Sequence, residues 1–254
     1  ELKLSALTRE ANDPRIETII GDIRDRSSIK DAFCGVDTCF HFAALKRIPE
    51  MEKQPLESIK TNVLGTINAA ECAIEAGVGN FIFSSTDKAC RPVNTYGACK
   101  FLSEQILLNY QSRGLTNFSV YRWVNVTSSR GAIAYAFKDA VENDRPAIIT
   151  HEKMSRGWID IRDAIRFVLD TYLIPSDSVK IPPVKGALVL DLLAAIGKAS
   201  NKSANYVISG PRPGEKIAED IRFDTVTGDC MTTTNIEQYT SEELLEIARE
   251  VVGR

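Results

Sequence analysis

The chain lacks the features that build a metal centre, a disulfide framework or a membrane span. Its six cysteines, Cys34, Cys39, Cys72, Cys90, Cys99 and Cys230, form no C-x-x-C pair and have only two histidines, His41 and His151, for company. No zinc-type ligand spacing can be drawn from such a set. Scattered thiols read as core residues of a reducing compartment, so the expected location is the cytoplasm. No apolar run is long enough to cross a bilayer and no signal peptide opens the sequence, which makes the N-x-[ST] matches at Asn117, Asn125 and Asn201 accidental. Charge of one sign is also missing. The 31 Lys and Arg against 34 Asp and Glu leave a net charge of -3, which argues against electrostatic capture of nucleic acid or an anionic membrane. Absent too is a G-x-G-x-x-G or G-x-x-G-x-x-G turn. A dinucleotide-binding sheet normally opens with a strand, such a turn and a helix that holds the pyrophosphate, whereas this chain starts in the helix-like "ELKLSALTREAN". Either the sequence belongs to a longer chain or the cradle has been lost.

What is present is the composition of a soluble globular protein of one or two domains, 44% hydrophobic and 26% charged over 254 residues. The first half alternates apolar runs with helical patterns: "RIETIIGDIRD", "SSIKDAFCG", "DTCFHFAAL", the long "PLESIKTNVLGTINAAECAIEAG", "GNFIFSS", "NTYGACKFLSEQILLNYQSRG" and "NFSVYRW". Strands separated by helices predict an α/β fold with a doubly wound parallel sheet. Ligands of such sheets lie outside the carboxyl ends of the strands. Beyond about Asn125 the pattern loosens, with helices expected at "IAYAFKDAVEN", "DIRDAIRFVLDTYL" and "TSEELLEIAREVV". Thr240 or Ser241 caps the last of these, with Glu242 and Glu243 in its first turn. The expected division is a sheet domain over residues 1–125 and a smaller domain over 126–254 with segments returning to the sheet.

One stretch, "SSTDKACRPVNTYGACK" at 84–100, collects four titratable groups where a strand gives way to a helix. Tyr96 and Lys100 are spaced i,i+4, so a helix puts them on one face, and Asn94 is placed to cap it. A Y-x-x-x-K match is weak in a chain with seven tyrosines, and an aromatic packed beside a solvated lysine explains it equally well. Its position at a strand end favours a site. A lysine ammonium beside the phenol is expected to lower the phenol pKa from its ordinary value near 10, making Tyr96 a candidate base for oxidising an alcohol. Asp87 and Lys88 need the opposite tuning: a neutral carboxyl to protonate a leaving hydroxyl and an uncharged amine to take a carbon-bound proton. Burial pushes both in those directions, and a solvated turn does neither.

In order and spacing, "GDIRD", "HFAALKRIPEMEKQPLESIKTNVLGT", "STDKACRPVNTYGACK", "NVTSSRG", "MSRGWI" and "RPGEK" resemble the extended short-chain dehydrogenases that act as UDP-N-acetylglucosamine 4,6-dehydratases. The resemblance is closest to the inverting, 5-epimerising branch of pseudaminic acid biosynthesis, strong to about Asn125 and patchy beyond. The Thr-Asp-Lys triplet is its most specific part, since related hexose dehydratases usually carry Asp-Glu there. Tyr96 points away from relatives, membrane-anchored retaining dehydratases among them, that have Met at that position. The resemblance implies a Rossmann-like fold with residues 1–125 binding NADP, or NAD in its place, and residues 126–254 mainly binding a UDP-sugar. It also implies a homo-oligomer, a dimer or larger, with no nucleic acid or membrane partner.

By the same resemblance, Tyr96 assisted by Lys100 takes the proton of the sugar 4-hydroxyl, Lys88 removes the carbon-5 proton, Asp87 protonates the departing 6-hydroxyl and Thr86 holds the sugar near carbon 4. Asp22, Ile23, Phe42, Lys46, Ser84, Ser85, Tyr96, Lys100 and Val126 are the implied cofactor contacts, and Lys46, Asn125, Arg130, Arg156, Arg212 and Glu215 those of the nucleotide-sugar. Arginine suits that task because its planar fork matches phosphate oxygens. Taken singly, Arg130 and Arg156 read as solvated surface residues, Asp22 as a turn residue and Glu215 as the first turn of a helix after Pro213-Gly214. The sequence departs from the family at Phe42, where a small residue is usual, at Trp123-Val124 before Asn125 in place of Tyr-Gly, and at Gly157, where an aromatic is usual. Two other readings stand beside the dehydratase: a 4-epimerase or 4-reductase, which needs Tyr96 and Lys100 but not Asp87 and Lys88, and a catalytically silent nucleotide-binding module.

Overall fold

The computed structural model describes residues 2–111, 116–127, 129 and 131–253. Helix α1 (Leu2–Ala11) leads into an irregular segment and then α2 (Arg26–Ile29), whose cap Asp25 accepts a hydrogen bond from the Ser27 N–H. Strand β1 (Thr38–His41) is followed by α3 (Ile48–Lys53), α4 (Pro55–Ile59), a π-helical turn over Lys60–Leu64 and α5 (Gly65–Glu75). The last three run on without a break, as the single long helix expected. Strand β2 (Asn80–Thr86), α6 (Thr95–Tyr110) and β3 (Asn117–Trp123) complete this half.

The three strands form a parallel sheet in the order β1-β2-β3, with Thr38 opposite Asn80 and Thr86 opposite Trp123 at its two ends. Central β2 is buried on both faces: Phe81, Ile82 and Phe83 are fully inaccessible, as a strand covered on both sides requires. Ala69, Ala70 and Ala73 of α5 pack on Phe81, Phe83, Phe118 and Val120. Burying each such large side chain contributes about 1.5–3 kcal/mol.

The expected strand in "RIETIIGD" does not form. Ile16, Ile19 and Ile20 are exposed, and among the described residues no strand lies beside them to take their backbone hydrogen bonds. A strand is a paired object; apolar alternation without a neighbour does not make one.

In the second half β4 (Asn125–Val126) is followed by α7 (Ile133–Glu142), β5 (Ala147–Ile149), β6 (Ser155–Ile159) and α8 (Ile161–Thr171), then β7 (Lys185–Leu188), α9 (Val189–Ala199), β8 (Tyr206–Ile208), β9 (Asp220–Phe223), β10 (Cys230–Thr232) and α10 (Ser241–Val252). Strand β6 pairs in parallel with β4 and antiparallel with β7; β5 pairs with β8 and β9 with β10. A second core gathers α7, α9 and α10 around Phe137, Trp158, Leu192, Leu193, Ile196 and Leu244. Helix α10 has the expected cap, a reciprocal box between Thr240 and Glu243. Helix α9 and most of the short strands are not foreseen from the sequence. The α9 stretch "VLDLLAAIGKA" carried a usable signal: Asp191 and Lys198, seven residues apart, share its exposed face while Val189, Leu192, Leu193 and Ile196 are buried at helical spacing. This half is tied back to the sheet where Lys180 exchanges backbone bonds with Val120 (2.8 Å) and Arg122 (2.9 Å). Among the described residues no helix is long and apolar enough to cross a membrane.

Candidate active site

Strand β2 delivers Ser84, Ser85 and Thr86 to its carboxyl end, and a single 3₁₀ turn, Asp87–Ala89, follows. The Thr86 hydroxyl starts that turn by accepting from the Lys88 N–H (3.4 Å). Helix α6 begins at Thr95 with Asn94 as its cap, the Asn94 Oδ1 accepting from the Gly97 N–H at 2.8 Å. The Asn94 Nδ2 donates to the Gly214 carbonyl (2.9 Å), which pins the "RPGEK" loop to the same cap. Gly214 turns there with φ +75°, a conformation that favours glycine.

These elements enclose a cavity of about 410 Å³ whose wall includes Lys46, Ser84, Ser85, Thr86, Asp87, Lys88, Tyr96, Asn125 and Val126. The structure thus brings most of the expected site residues to one surface. Lys100 lies just behind it, its Nζ donating to the Ser84 carbonyl at 2.6 Å and standing 4.4 Å over the Phe83 ring. Phe42 lies beside it, in an apolar hollow of about 310 Å³ that shares Ser84, Trp123 and Val126 with the cavity. Arg212 lies in an adjoining cavity of about 710 Å³, with Arg145 and Ile148, that shares Gly131 and Ile133 with the first.

Other expected residues stand elsewhere. Asp22 is exposed and paired with Arg24 at 2.6 Å, and Ile23 packs against Gly65, where an added Cβ would come within 2.8 Å of its side chain. Arg156 is neither on the cavity wall nor solvated. Only 7% exposed, it donates from Nη1 to the Ser155 (2.8 Å) and Ile217 (3.1 Å) carbonyls and from Nη2 to that of Lys216 (3.0 Å). No helix follows Gly214; instead Glu215 closes a turn by accepting from the Arg212 N–H at 3.1 Å. Arg130 lies outside the described residues. Two of the sequence departures explain one another: a Cβ at Gly157 would sit 2.7 Å from Val124 Cγ1, so the bulk gained at 124 occupies the space that a side chain at 157 would need.

The charges of the site form one buried chain. Asp87 is 1% exposed; its Oδ1 accepts from Lys88 Nζ (3.1 Å) and Thr86 Oγ1 (3.0 Å), while its Oδ2 has no hydrogen-bond partner among the described residues. Lys88 Nζ also lies 3.3 Å from Glu219 Oε1, which is 3.7 Å from Arg156 Nε. Burial works against the Lys88 ammonium, yet Asp87 and Glu219 outweigh it and raise the lysine pKa above its ordinary value. The expected uncharged Lys88 is therefore not its resting form, because the sequence gives no sign of the second carboxylate. Tyr96 also differs from expectation. Burial pushes its phenol up, and the charge that pulls it back down is that of Lys88, with a Thr86 hydrogen bond, rather than that of Lys100. Lys100 itself is brought down to about 8 by burial, which Glu104 only partly offsets.

Glu219 and Glu104 are absent from the sequence reading. Glu219 sits in "GEKIAED", a charged run that looks like a solvated loop. Glu104 carried a usable signal, the i,i+4 spacing from Lys100. Fully buried, it accepts from Ser85 Oγ and from both Nε (3.2 Å) and Nη2 of Arg122, whose Nη1 reaches the Ile221 carbonyl at 2.9 Å.

Comparison with known proteins gives the family and the fold. The family model described as polysaccharide biosynthesis protein matches residues 1–243. A membrane protein of Methanocaldococcus jannaschii is 37% identical over 232 residues, 87% of this chain and 70% of that protein. The inverting UDP-N-acetylglucosamine 4,6-dehydratase of Campylobacter jejuni is 37% identical over 224 residues, 86% of this chain and 66% of the enzyme, so the chain spans about two thirds of that relative's length. A UDP-glucose 4-epimerase of Rickettsia bellii is 34% identical over 214 residues, 83% of this chain and 63% of the epimerase. Among solved structures, Pen from Bacillus thuringiensis superposes with a TM-score of 0.88 at 23% identity, covering 100% of this chain and 87% of that one. The fold is therefore the Rossmann-like α/β fold of the extended short-chain dehydrogenases.

Proposed function

The chain belongs to the polysaccharide biosynthesis protein family, and on that premise we propose that it is the catalytic part of an NADP-dependent nucleotide-sugar 4,6-dehydratase acting on UDP-N-acetylglucosamine with inversion at carbon 5. The observation that carries the reading is the pair of buried Asp87 and partly buried Lys88 on the same cavity wall as Tyr96. Oxidation at carbon 4 needs only a phenol and its lysine; elimination across carbons 5 and 6 needs an acid and a base as well. Asp87 Oδ2, buried and without a hydrogen-bond partner among the described residues, is the oxygen available to the 6-hydroxyl, since a buried carboxylate oxygen without a partner is costly.

The nicotinamide end of a dinucleotide fits the residues present. The apolar hollow at Phe42, Trp123 and Val126 suits a flat ring beside the Ser84-Ser85 strand end, where Lys100 is fixed on the Ser84 carbonyl. When bound, it supplies reversible hydride exchange with the sugar. The chain's own work is proton traffic. Tyr96 accepts the 4-hydroxyl proton, Lys88 takes the proton on carbon 5, Asp87 protonates the leaving 6-hydroxyl and Thr86 positions the ring. Arg212 and Arg145 in the adjoining cavity, the latter paired there with Asp139, give the nucleoside diphosphate its countercharge, with Asn125 and Lys46 on the first cavity's wall and Glu215 on the turn that begins at Arg212. Residues 1–125 then serve the cofactor and 126–254 chiefly the substrate, in a cytoplasmic homo-oligomer.

The relatives named UDP-glucose 4-epimerase support a second reading, a 4-epimerase. Incubating the protein with UDP-N-acetylglucosamine and NADP separates the two. A 4-keto-6-deoxy product supports the dehydratase, and UDP-N-acetylgalactosamine alone supports the epimerase.

A further inference from the structure

Glu219 is a carboxylate that the roles above leave unassigned, although it touches the proposed base. Its side chain is 4% exposed, with Oε1 3.3 Å from Lys88 Nζ and 3.7 Å from Arg156 Nε. Its backbone is held on both sides by one residue: the Glu219 N–H donates to Thr233 Oγ1 (3.2 Å) and its carbonyl accepts from the Thr233 N–H (3.0 Å). A carboxylate mounted in this way is set in place rather than swept about by a loop. Lys88 accordingly lies between two carboxylates, Asp87 from its own turn and Glu219 from the segment leading into β9.

We infer that Glu219 is a positioning residue for Lys88, holding its nitrogen at the cavity wall while Asp87 changes protonation state. The inference rests on reading Asp87 and Lys88 as acid and base. In the resting pair one proton lies between Lys88 Nζ and Asp87 Oδ1, 3.1 Å apart. Its transfer to Asp87 makes a carboxylic acid and a free amine, the forms that elimination uses, without breaking any heavy-atom bond. Asp87 then no longer holds the amine by charge, and Glu219 remains as the neighbouring carboxylate, 3.3 Å away. The amine takes the proton from carbon 5, the electron pair of that bond forms the carbon 5–carbon 6 double bond, and the 6-oxygen leaves as water with the proton of Asp87. Carboxylate and ammonium are regenerated, the ammonium beside Glu219. Because this positive charge grows in the transition state, a fixed carboxylate at that spot favours the transition state over the free-amine form that precedes it. The charged and titratable groups facing Lys88 are Asp87, Glu219, Arg156 and, from α6, Tyr96. Arg156, whose Nε lies 3.7 Å from the same Oε1, limits how strongly that carboxylate holds the proton.

The test is titration of the Lys88 ammonium by NMR of lysine-labelled protein without substrate, comparing wild type with Glu219→Gln. The inference expects the Lys88 midpoint to move to lower pH in Glu219→Gln, with Glu219→Asp between the two. An unchanged midpoint overturns it. If Glu219→Gln does not fold, Glu219→Asp decides alone: a lowered midpoint supports the inference and an unchanged one overturns it. In deuterated water with UDP-N-acetylglucosamine, exchange at carbon 5 should slow roughly 10-fold in Glu219→Gln, a part of the about 10²–10⁴ that general acid-base catalysis supplies, and the pH profile should shift in the same direction as the midpoint. Wild-type protein without any carbon-5 exchange counts against the dehydratase reading, whereas the substrate-free titration still decides the role of Glu219.

Discussion

A Cβ on Gly97 would stand 2.1 Å from the Lys88 carbonyl oxygen, so the first turn of α6 is pressed directly onto the turn that carries Asp87 and Lys88. This contact joins the proposed oxidation pair to the proposed elimination pair: the helix presents Tyr96 while its glycine lets the turn of Asp87 and Lys88 come up against it. Gly97→Ala must push the two apart. The expected outcome is a loss of about 1–3 kcal/mol of stability from overpacking, seen as a lower melting temperature, together with loss of dehydratase activity.

Removing the proposed base should separate the two half-reactions. Lys88→Ala is expected to lower product formation by about 10²–10⁴-fold while Tyr96 and Lys100 still permit a change in cofactor redox state on adding the sugar, read from nicotinamide absorbance. Full dehydration by Lys88→Ala would show that another group takes the carbon-5 proton.

The Ser85, Glu104 and Arg122 cluster holds the end of β2 against α6 and, through the Ile221 carbonyl, against β9. Leaving one partner of a buried ion pair uncompensated costs about 3–5 kcal/mol, whereas replacing both with apolar groups costs far less. Arg122→Met alone should therefore destabilise the protein more than Glu104→Leu combined with Arg122→Met, as chemical denaturation can measure. Equal losses would show that Glu104 gains nothing from Arg122.

Lys100 gives a pH dependence with a definite sign. Its folded pKa of about 8 lies below the ordinary 10.5, so between these values the unfolded chain binds the extra proton and stability rises with pH. The contribution is fully present above 10.5 and is lost as pH falls through about 8. Lys100→Met should remove that rise, so the stability difference between wild type and variant should grow in favour of wild type between about pH 8 and 10.5. A flat difference would mean that Lys100 is not desolvated.

The parallel sheet, the capped α6 and the clustering of Thr86, Asp87, Lys88 and Tyr96 were legible in the sequence because each depends on local pattern: β2 is a buried apolar run, Asn94 a cap, and Tyr96 to Lys100 one helical turn. What was hidden depends on distant contacts. Glu219 reaches Lys88 only through the register of β9 and β10, and Arg156 is turned onto carbonyls by the loop at Lys216 and Ile217. The tuning of Tyr96 and Lys88 was misjudged for the same reason, since a pKa responds to neighbours in space. The apolar "RIETIIGD" was overread as a strand because the periodicity of a segment carries no information about its partner.

The most direct test of the dehydratase account is the reaction of the protein with UDP-N-acetylglucosamine and NADP in deuterated water, followed by NMR of the sugar. The account predicts a UDP-4-keto-6-deoxy sugar with deuterium at carbon 5 and inverted configuration there. Elimination without inversion would contradict the assigned stereochemistry, and epimerised sugar with carbon 6 still hydroxylated and carbon 5 unlabelled would contradict the central claim.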